Sequence, residues 1–166
     1  MNAAICSGSF DPVTVGHIDI ITRSSRLFNE VVVLVLVNPN KTPAFTLEER
    51  LEFIRRSVAS LPNVRVDVFE GLLADYARKI GANTVVRGLR AITDFESEFQ
   101  MALINKRLYP EMETVYLNTS AENMYLSSSI VKQIAMFGGD IAPFVPEEIF
   151  KDVKAKLIPE RQAEQK

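Results

Sequence analysis

Cysteine and histidine are nearly absent from this 166-residue chain: Cys6 and His17 each stand alone. A lone cysteine excludes a disulfide framework and fits a reducing, cytoplasmic setting. One of each also argues against a dedicated zinc site, which draws on several such ligands. Long apolar runs are missing too. The longest, Val31 to Val37, has the length of a strand and cannot cross a bilayer. Met1 to Ile5 carries no basic residue, so no secretory leader is expected. There is no long basic run, and the net charge is −2. Duplex nucleic acid rewards a broad cationic surface, so it is a poor partner here. A small polyanion needs only a few local cations and is compatible with this balance. Two phosphate-binding fingerprints are absent as well, G-x-x-x-x-G-K-[ST] and G-x-G-x-x-G. Neither a P-loop NTPase nor a dinucleotide dehydrogenase is favoured.

What is present alternates between strand and helix periods. Ala3 to Cys6, Val31 to Val37, Val64 to Phe69, Thr84 to Val86 and Thr114 to Leu117 read as five strands. The unbroken apolar run of the second implies burial on both faces, and the alternation of the third places it nearer an edge. Between them lie helical patterns. In Thr46 to Leu61 the residues Leu47, Leu51, Ile54, Val58 and Leu61 make one apolar stripe, and Thr46 with Glu49 forms a capping box. Leu72 to Ile80 stops at Gly81, and a helix from about Thr93 to Leu108 ends before Pro110. Ser127 to Phe137 runs into Gly138-Gly139, and Pro146 begins a last helix. Repeated strand–helix units predict a Rossmann-like α/β fold: a doubly wound, five-stranded parallel sheet with helices on both faces. Residues 1–158 read as one domain, with a frayed polar tail over 159–166.

Ligands of such sheets bind beyond the carboxyl ends of the strands. Polar and cationic groups gather there after four strands: Gly8-Ser9-Phe10-Asp11-Pro12 with Thr14-Val15-Gly16-His17, then Lys41, then Arg87-Gly88-Leu89-Arg90, then Ser127-Ser128-Ser129. Each suits a phosphate. Gly8 permits close backbone approach, and Ser9 can donate to an oxygen. Gly16 and His17 at a helix start add free N–H groups, the dipole and an imidazole. The three serines supply hydroxyls at a second helix start, and Lys41, Arg87 and Arg90 can neutralise developing charge. An attacking group that is itself a phosphate is already anionic and needs no general base, which leaves positioning and electrostatics as the catalytic work.

The first of these segments resembles the signature of the T/HxGH nucleotidyltransferase superfamily. Within it, Lys41, Arg87 to Arg90, Asp94-Phe95-Glu96, Glu98, Gln100, Asn105 and Ser127 to Ser129 are similar to the phosphopantetheine adenylyltransferase family, over about Ile5 to Leu157. The resemblance implies transfer of the adenylyl group of ATP to 4′-phosphopantetheine, giving dephospho-CoA and pyrophosphate. By the same resemblance His17 stabilises the transition state at the α-phosphate, and Ser9 and Lys41 hold the nucleophilic phosphate beside it. Arg90 and Ser127 to Ser129 grip the β- and γ-phosphates. The ATP site then takes in Phe10, Gly88, Leu89, Glu98 and the stretch Asn123, Met124, Tyr125 and Leu126. Leu72, Leu73 and Asn105 line the pantetheine arm, with Arg87 near the acceptor. Also implied are Mg²⁺ carried with ATP, a homohexamer, and feedback by coenzyme A. Three positions depart from the family pattern: Ser9 replaces threonine but keeps the hydroxyl, Asn123 replaces an aromatic, and Ser97 replaces tyrosine.

Plainer roles compete for the same residues. His17 taken alone reads as a capping or core histidine, Lys41 as a solvated loop lysine, and the serines as helix caps. Asp11 reads as a turn residue bonding local backbone rather than as a metal ligand. Phe95 and Phe99 read as core, and Cys6 as a small buried hydrophobe. Glu98 and Asn105, seven apart, share one helix face. Rival functions are a nucleotidyltransferase acting on nicotinate mononucleotide or glycerol phosphate, and a non-catalytic nucleotide sensor. The joint presence of Ser9, His17, Lys41 and Arg90 weighs against the sensor.

Overall fold

The computed structural model describes residues 3–37, 42–90 and 92–158, with the backbone alone at 92–94. Strands lie at all five expected places: Ala3–Gly8 (β1), Glu30–Val37 (β2), Val64–Glu70 (β3), Thr84–Leu89 (β4) and Glu113–Asn118 (β5). All pairings are parallel, in the order β3-β2-β1-β4-β5, so β3 is an edge strand as its alternating pattern implies. The helices are Val15–Leu27 (α1), Leu47–Ser57 (α2), Leu73–Ile80 (α3), Ile92–Leu108 (α4), Ser128–Met136 (α5) and Glu147–Leu157 (α6). The architecture is Rossmann-like. No described helix is long and apolar enough to cross a membrane. The tail expected over 159–166 lies outside the described residues.

Strand order reverses between β1 and β4. These two strands pair only through Ala4–Thr84 and Ile5–Val85, then part toward their carboxyl ends. A crevice opens at such a switch point, and here it falls between Gly8 and Arg87.

Side-chain alternation along the strands divides the core into two layers. Ala4, Cys6, Val31, Val33 and Val35 face the side covered by α1, α2, α5 and α6. Ile5, Val32, Leu34 and Val85 face α3, whose Leu73, Ala74, Tyr76 and Ala77 cover them together with Met112. Helix ends follow local chemistry. Thr46 and Glu49 form the capping box, and Gly81 closes α3 at φ 69°. The second helix ends at Ser57 rather than near Leu61. Pro62 biases Leu61 away from helical backbone, and the chain turns there to enter β3.

Gly88 in β4 marks a close approach of α1 to the sheet, since an added Cβ would lie 2.9 Å from Ile20 Cγ1. Gly88→Ala is expected to cost about 1–3 kcal/mol through overpacking, read as a lower urea midpoint at unchanged slope.

One expectation fails. Phe95 and Phe99 are not core residues: they stack on each other, and they are 43 % and 46 % exposed. Met101, Leu103, Ile104 and Leu108 are exposed as well, between 41 % and 55 %. The fourth helix is apolar on more than one side, and one side alone meets β4, β5 and α3.

Candidate active site

The loop from β1 to α1 folds around its own aromatic ring. A Cβ on Gly8 would stand 3.1 Å from the Phe10 ring, so glycine here admits that ring, and Gly8 also lines the crevice described below. Phe10 itself adopts φ 47°, a left-handed conformation rare for an aromatic residue, and is 4 % exposed. Its ring meets the His17 imidazole edge-on, with centroids 5.1 Å apart.

His17 is the third residue of α1 and completes a capping box with Thr14. The Thr14 N–H donates to Nδ1 at 3.0 Å, and the His17 N–H donates to the Thr14 hydroxyl oxygen at 3.4 Å. Glutamate or glutamine usually fills this position. Because Nδ1 is taken as an acceptor, the proton of the neutral ring sits on Nε2. Burial, aided by the positive charges of Arg87 and Arg90, pushes the imidazole pKa down to about 4. The capping role and the functional role therefore coincide: the cap fixes the tautomer, and Nε2–H is left as a neutral donor.

Around this ring lies a crevice of about 360 Å³, lined by Ser9, Phe10, His17, Arg87, Gly88, Arg90, Glu98, Asn123, Leu126 and Ser127 to Ser129. Arg87 spans it. Its guanidinium makes two bonds to Glu98, at 2.7 and 2.6 Å, and also donates to the Ser7 carbonyl at the end of β1. Burial alone would lower the Arg87 pKa, but the Glu98 carboxylate more than offsets it and holds the charge. The Tyr116 hydroxyl donates to the Glu98 carbonyl at 3.0 Å, fixing this part of α4 against β5. Arg90 donates to the Leu126 carbonyl at 3.1 Å, which places its guanidinium at the start of α5.

The three serines divide their work. Ser127 caps α5 by accepting the Ile130 N–H at 3.2 Å, and the Ser128 hydroxyl donates to the Pro12 carbonyl at 2.7 Å. Ser129 is exposed at the rim. Other expected residues lie apart from this crevice. Leu89 ends β4, and Met124 and Tyr125 are exposed at 49 % and 61 %. Leu72 is 53 % exposed, Leu73 packs into the second core layer, and Asn105 is buried farther along α4. Lys41 and the Asp94 side chain lie outside the described residues. Among those described, no group of three or more His, Cys, Asp or Glu could hold a metal ion.

Two features escape a reading by local pattern. Asp11 lies in a turn, as expected, but its carboxylate does not bond local backbone: it is 5 % exposed, accepts the N–H groups of Ala44 and Phe45, and pairs with Lys132. Arg50, 6 % exposed, donates to the Ser9 carbonyl at 2.9 Å. Its place on the inner side of α2, between Leu47 and Ile54, is the one sequence signal that could have pointed to it. A second cavity, of about 430 Å³, shares Ser9, Ser128 and Ser129 with the crevice and adds Arg50 and Lys132.

Comparison with known proteins shows the family. The cytidylyltransferase-like family profile matches residues 5–134. The phosphopantetheine adenylyltransferase of Heliobacterium modesticaldum is 53 % identical across 94 % of this chain and 93 % of its own. That of Clostridium kluyveri is 54 % identical across 95 % and 96 %. Among solved structures, Plasmodium falciparum nicotinic acid mononucleotide adenylyltransferase in complex with NaAD superposes with a TM-score of 0.64. It is 14 % identical and covers 92 % of this chain and 96 % of that one, a likeness of fold alone. With about half of its residues identical to those of these relatives over nearly full length, and a match to the family profile across most of the chain, this protein belongs to the phosphopantetheine adenylyltransferase family within the cytidylyltransferase-like group.

Proposed function

We infer that the chain transfers the adenylyl group of ATP to 4′-phosphopantetheine, yielding dephospho-CoA and pyrophosphate. The observation that carries this reading is the neutral His17, its Nε2–H free, in a crevice that also holds two guanidiniums and a helix start. In the reaction an acceptor phosphate oxygen bonds to the α-phosphorus while the bond from that phosphorus to the β-phosphate oxygen breaks. Charge grows on the equatorial oxygens and on the departing pyrophosphate, and fixed donors stabilise it there. His17 cannot serve as a base through Nδ1 without giving up the Thr14 bond, and its Nε2 already carries a proton. An acceptor that is already anionic needs no base, so the protonation state and the chemistry agree.

The remaining assignments follow from this reading. Ser9 and Lys41 hold the acceptor phosphate, with Arg87 beside it. Arg90 and the start of α5 take the β- and γ-phosphates. Leu72, Leu73 and Asn105 flank the pantetheine arm, and coenzyme A competes there as a feedback ligand. Mg²⁺ carried on the triphosphate would screen part of its charge, with the cations and hydroxyls that line the crevice left to meet the remaining phosphate oxygens. A cytoplasmic enzyme fits the lone buried cysteine.

The homohexamer is implied by the family resemblance, and the apolar surface of α4 supports self-association, since monomers rarely leave so many large side chains in water on one helix. Sedimentation is expected to give the hexamer for the native chain and smaller species for Leu103→Glu. A native monomer at working concentration would overturn this assembly.

The reaction is tested by pyrophosphate release from ATP and Mg²⁺ with 4′-phosphopantetheine, against dephosphorylated pantetheine. Release that depends on the phosphorylated acceptor supports the reading. Bound ATP with no release would overturn it.

A further inference from the structure

One buried carboxylate joins three separate pieces of the site. Asp11 Oδ2 accepts the Ala44 N–H at 3.0 Å, and Oδ1 accepts the Phe45 N–H at 2.9 Å. The Lys132 ammonium lies 2.6 Å from the same Oδ2. Ala44 and Phe45 lead into Thr46, the N-cap of α2. Lys132 lies on α5, one turn beyond Ser128, whose hydroxyl holds the Pro12 carbonyl. The segment from Ser9 to Pro12 is thus gripped at Ser9 by Arg50, at Asp11 by Lys132 and at Pro12 by Ser128.

The residue type follows from the donors. Two backbone N–H groups and an ammonium converge on one side chain, and an ionised carboxylate alone offers two acceptor oxygens and no donor. Asparagine would turn an N–H₂ toward one of the three. Packing alone could hold these segments together at less cost than a buried ion pair, but without directional bonds. Directional bonds matter where two reacting groups must stay aligned.

We propose that Asp11 and Lys132 are a positioning pair that holds the start of α5, on the leaving pyrophosphate, in alignment with the Ser9–His17 loop at the α-phosphate. The proposal rests on the adenylyl-transfer reading. Neither residue touches the reacting atoms; both act through the segments they tie.

The pair also has a pH signature. Burial acting alone would raise the Asp11 pKa, but Lys132 and the N–H groups of Ala44 and Phe45 outweigh it and hold the carboxyl below the usual range. Among the described residues, Arg50 of α2 is the other charged group lining this cavity. With Lys132 removed, its lowering influence is lost and the carboxyl takes up a proton at milder pH than in the native chain, which breaks the node.

The test compares Lys132→Met, Lys132→Arg and Asp11→Asn/Lys132→Met in pyrophosphate release across pH. Lys132→Met is expected to lower kcat by about 30- to 100-fold, with KM for ATP within about threefold of native. Its acid limb in kcat is expected to rise by about one pH unit or more, and the double variant is expected to lack that limb. Lys132→Arg, which keeps the charge, should recover kcat to within about fivefold. Native kcat in Lys132→Met, or a loss that arginine does not rescue and pH does not modulate, would overturn the pairing. Should Lys132→Met fail to fold, Lys132→Gln is judged by the same criteria. Native turnover is measured first, and its absence sinks the adenylyl-transfer reading instead. The pairing is then read from the lone imidazole: its resonance should shift as Asp11 titrates in Lys132→Met, and an unmoved resonance overturns the pair.

Discussion

His17→Asn is expected to cut kcat at least about a hundredfold while ATP affinity and thermal stability stay near native. The choice of asparagine separates two roles that alanine would confound. Its Oδ1 can take the place of Nδ1 and accept the Thr14 N–H, which keeps the cap, but nothing then stands where Nε2–H was. Loss of a cap costs about 1 kcal/mol of stability, whereas loss of a transition-state donor costs about 3–4 kcal/mol of barrier. Steady-state pyrophosphate release, ATP titration and thermal melting distinguish these. Unchanged turnover would remove His17 from the chemistry. Because it is the lone histidine, its NMR titration is free of overlap, and the midpoint should lie near 4 rather than at the ordinary 6.5. The sign for stability follows. Between these values the unfolded chain binds a proton that the folded chain refuses, so stability is full above 6.5 and is lost as pH falls through about 4. His17→Asn abolishes that contribution, which urea unfolding at two pH values can check.

Arg87→Met should weaken both the fold and the site. Glu98 loses a two-bond partner inside the crevice, and the Ser7 carbonyl at the end of β1 loses its donor. Breaking a fully buried pair costs about 3–5 kcal/mol. With the two side chains 32 % and 20 % exposed, water recovers part of that, and about 1–3 kcal/mol is the expected loss. The unpaired Glu98 carboxylate then faces the triphosphate, so KM for ATP is expected to rise about tenfold or more. Arg87→Met/Glu98→Gln separates the two effects. It should regain most of the stability, because no lone charge is left, and little of the turnover, because the cation is still missing. Recovery of turnover as well would mean that Arg87 serves only to neutralise Glu98.

Much of this was legible from local pattern. Short apolar runs and one alternating segment became five parallel strands because each of those patterns is complete within a few residues and needs no partner information to be recognised. Thr46 with Glu49, and Gly81 after Ile80, act within one turn of backbone, so residue type and spacing suffice. The crevice residues Ser9, His17, Arg87 and Arg90 were legible because they follow strands whose ends must converge in this topology, whereas Glu98, within α4, was pointed to by the family resemblance alone. The outer side of α4 was misread, since periodicity tells which residues are apolar and not which are covered. Phe95 and Phe99 keep a helical spacing whether a sheet or a second subunit faces them.

By itself, the amino-acid order determined the strands, the caps and which polar and cationic groups follow each strand, because those depend on residue type and on interactions a few residues long. The tertiary structure alone decided that Arg87 donates to the Ser7 carbonyl, 80 positions away, and that Asp11 binds residues 33, 34 and 121 positions away. Which donor meets which acceptor across such distances depends on how helices seat on the sheet, and no spacing in the chain encodes that seating.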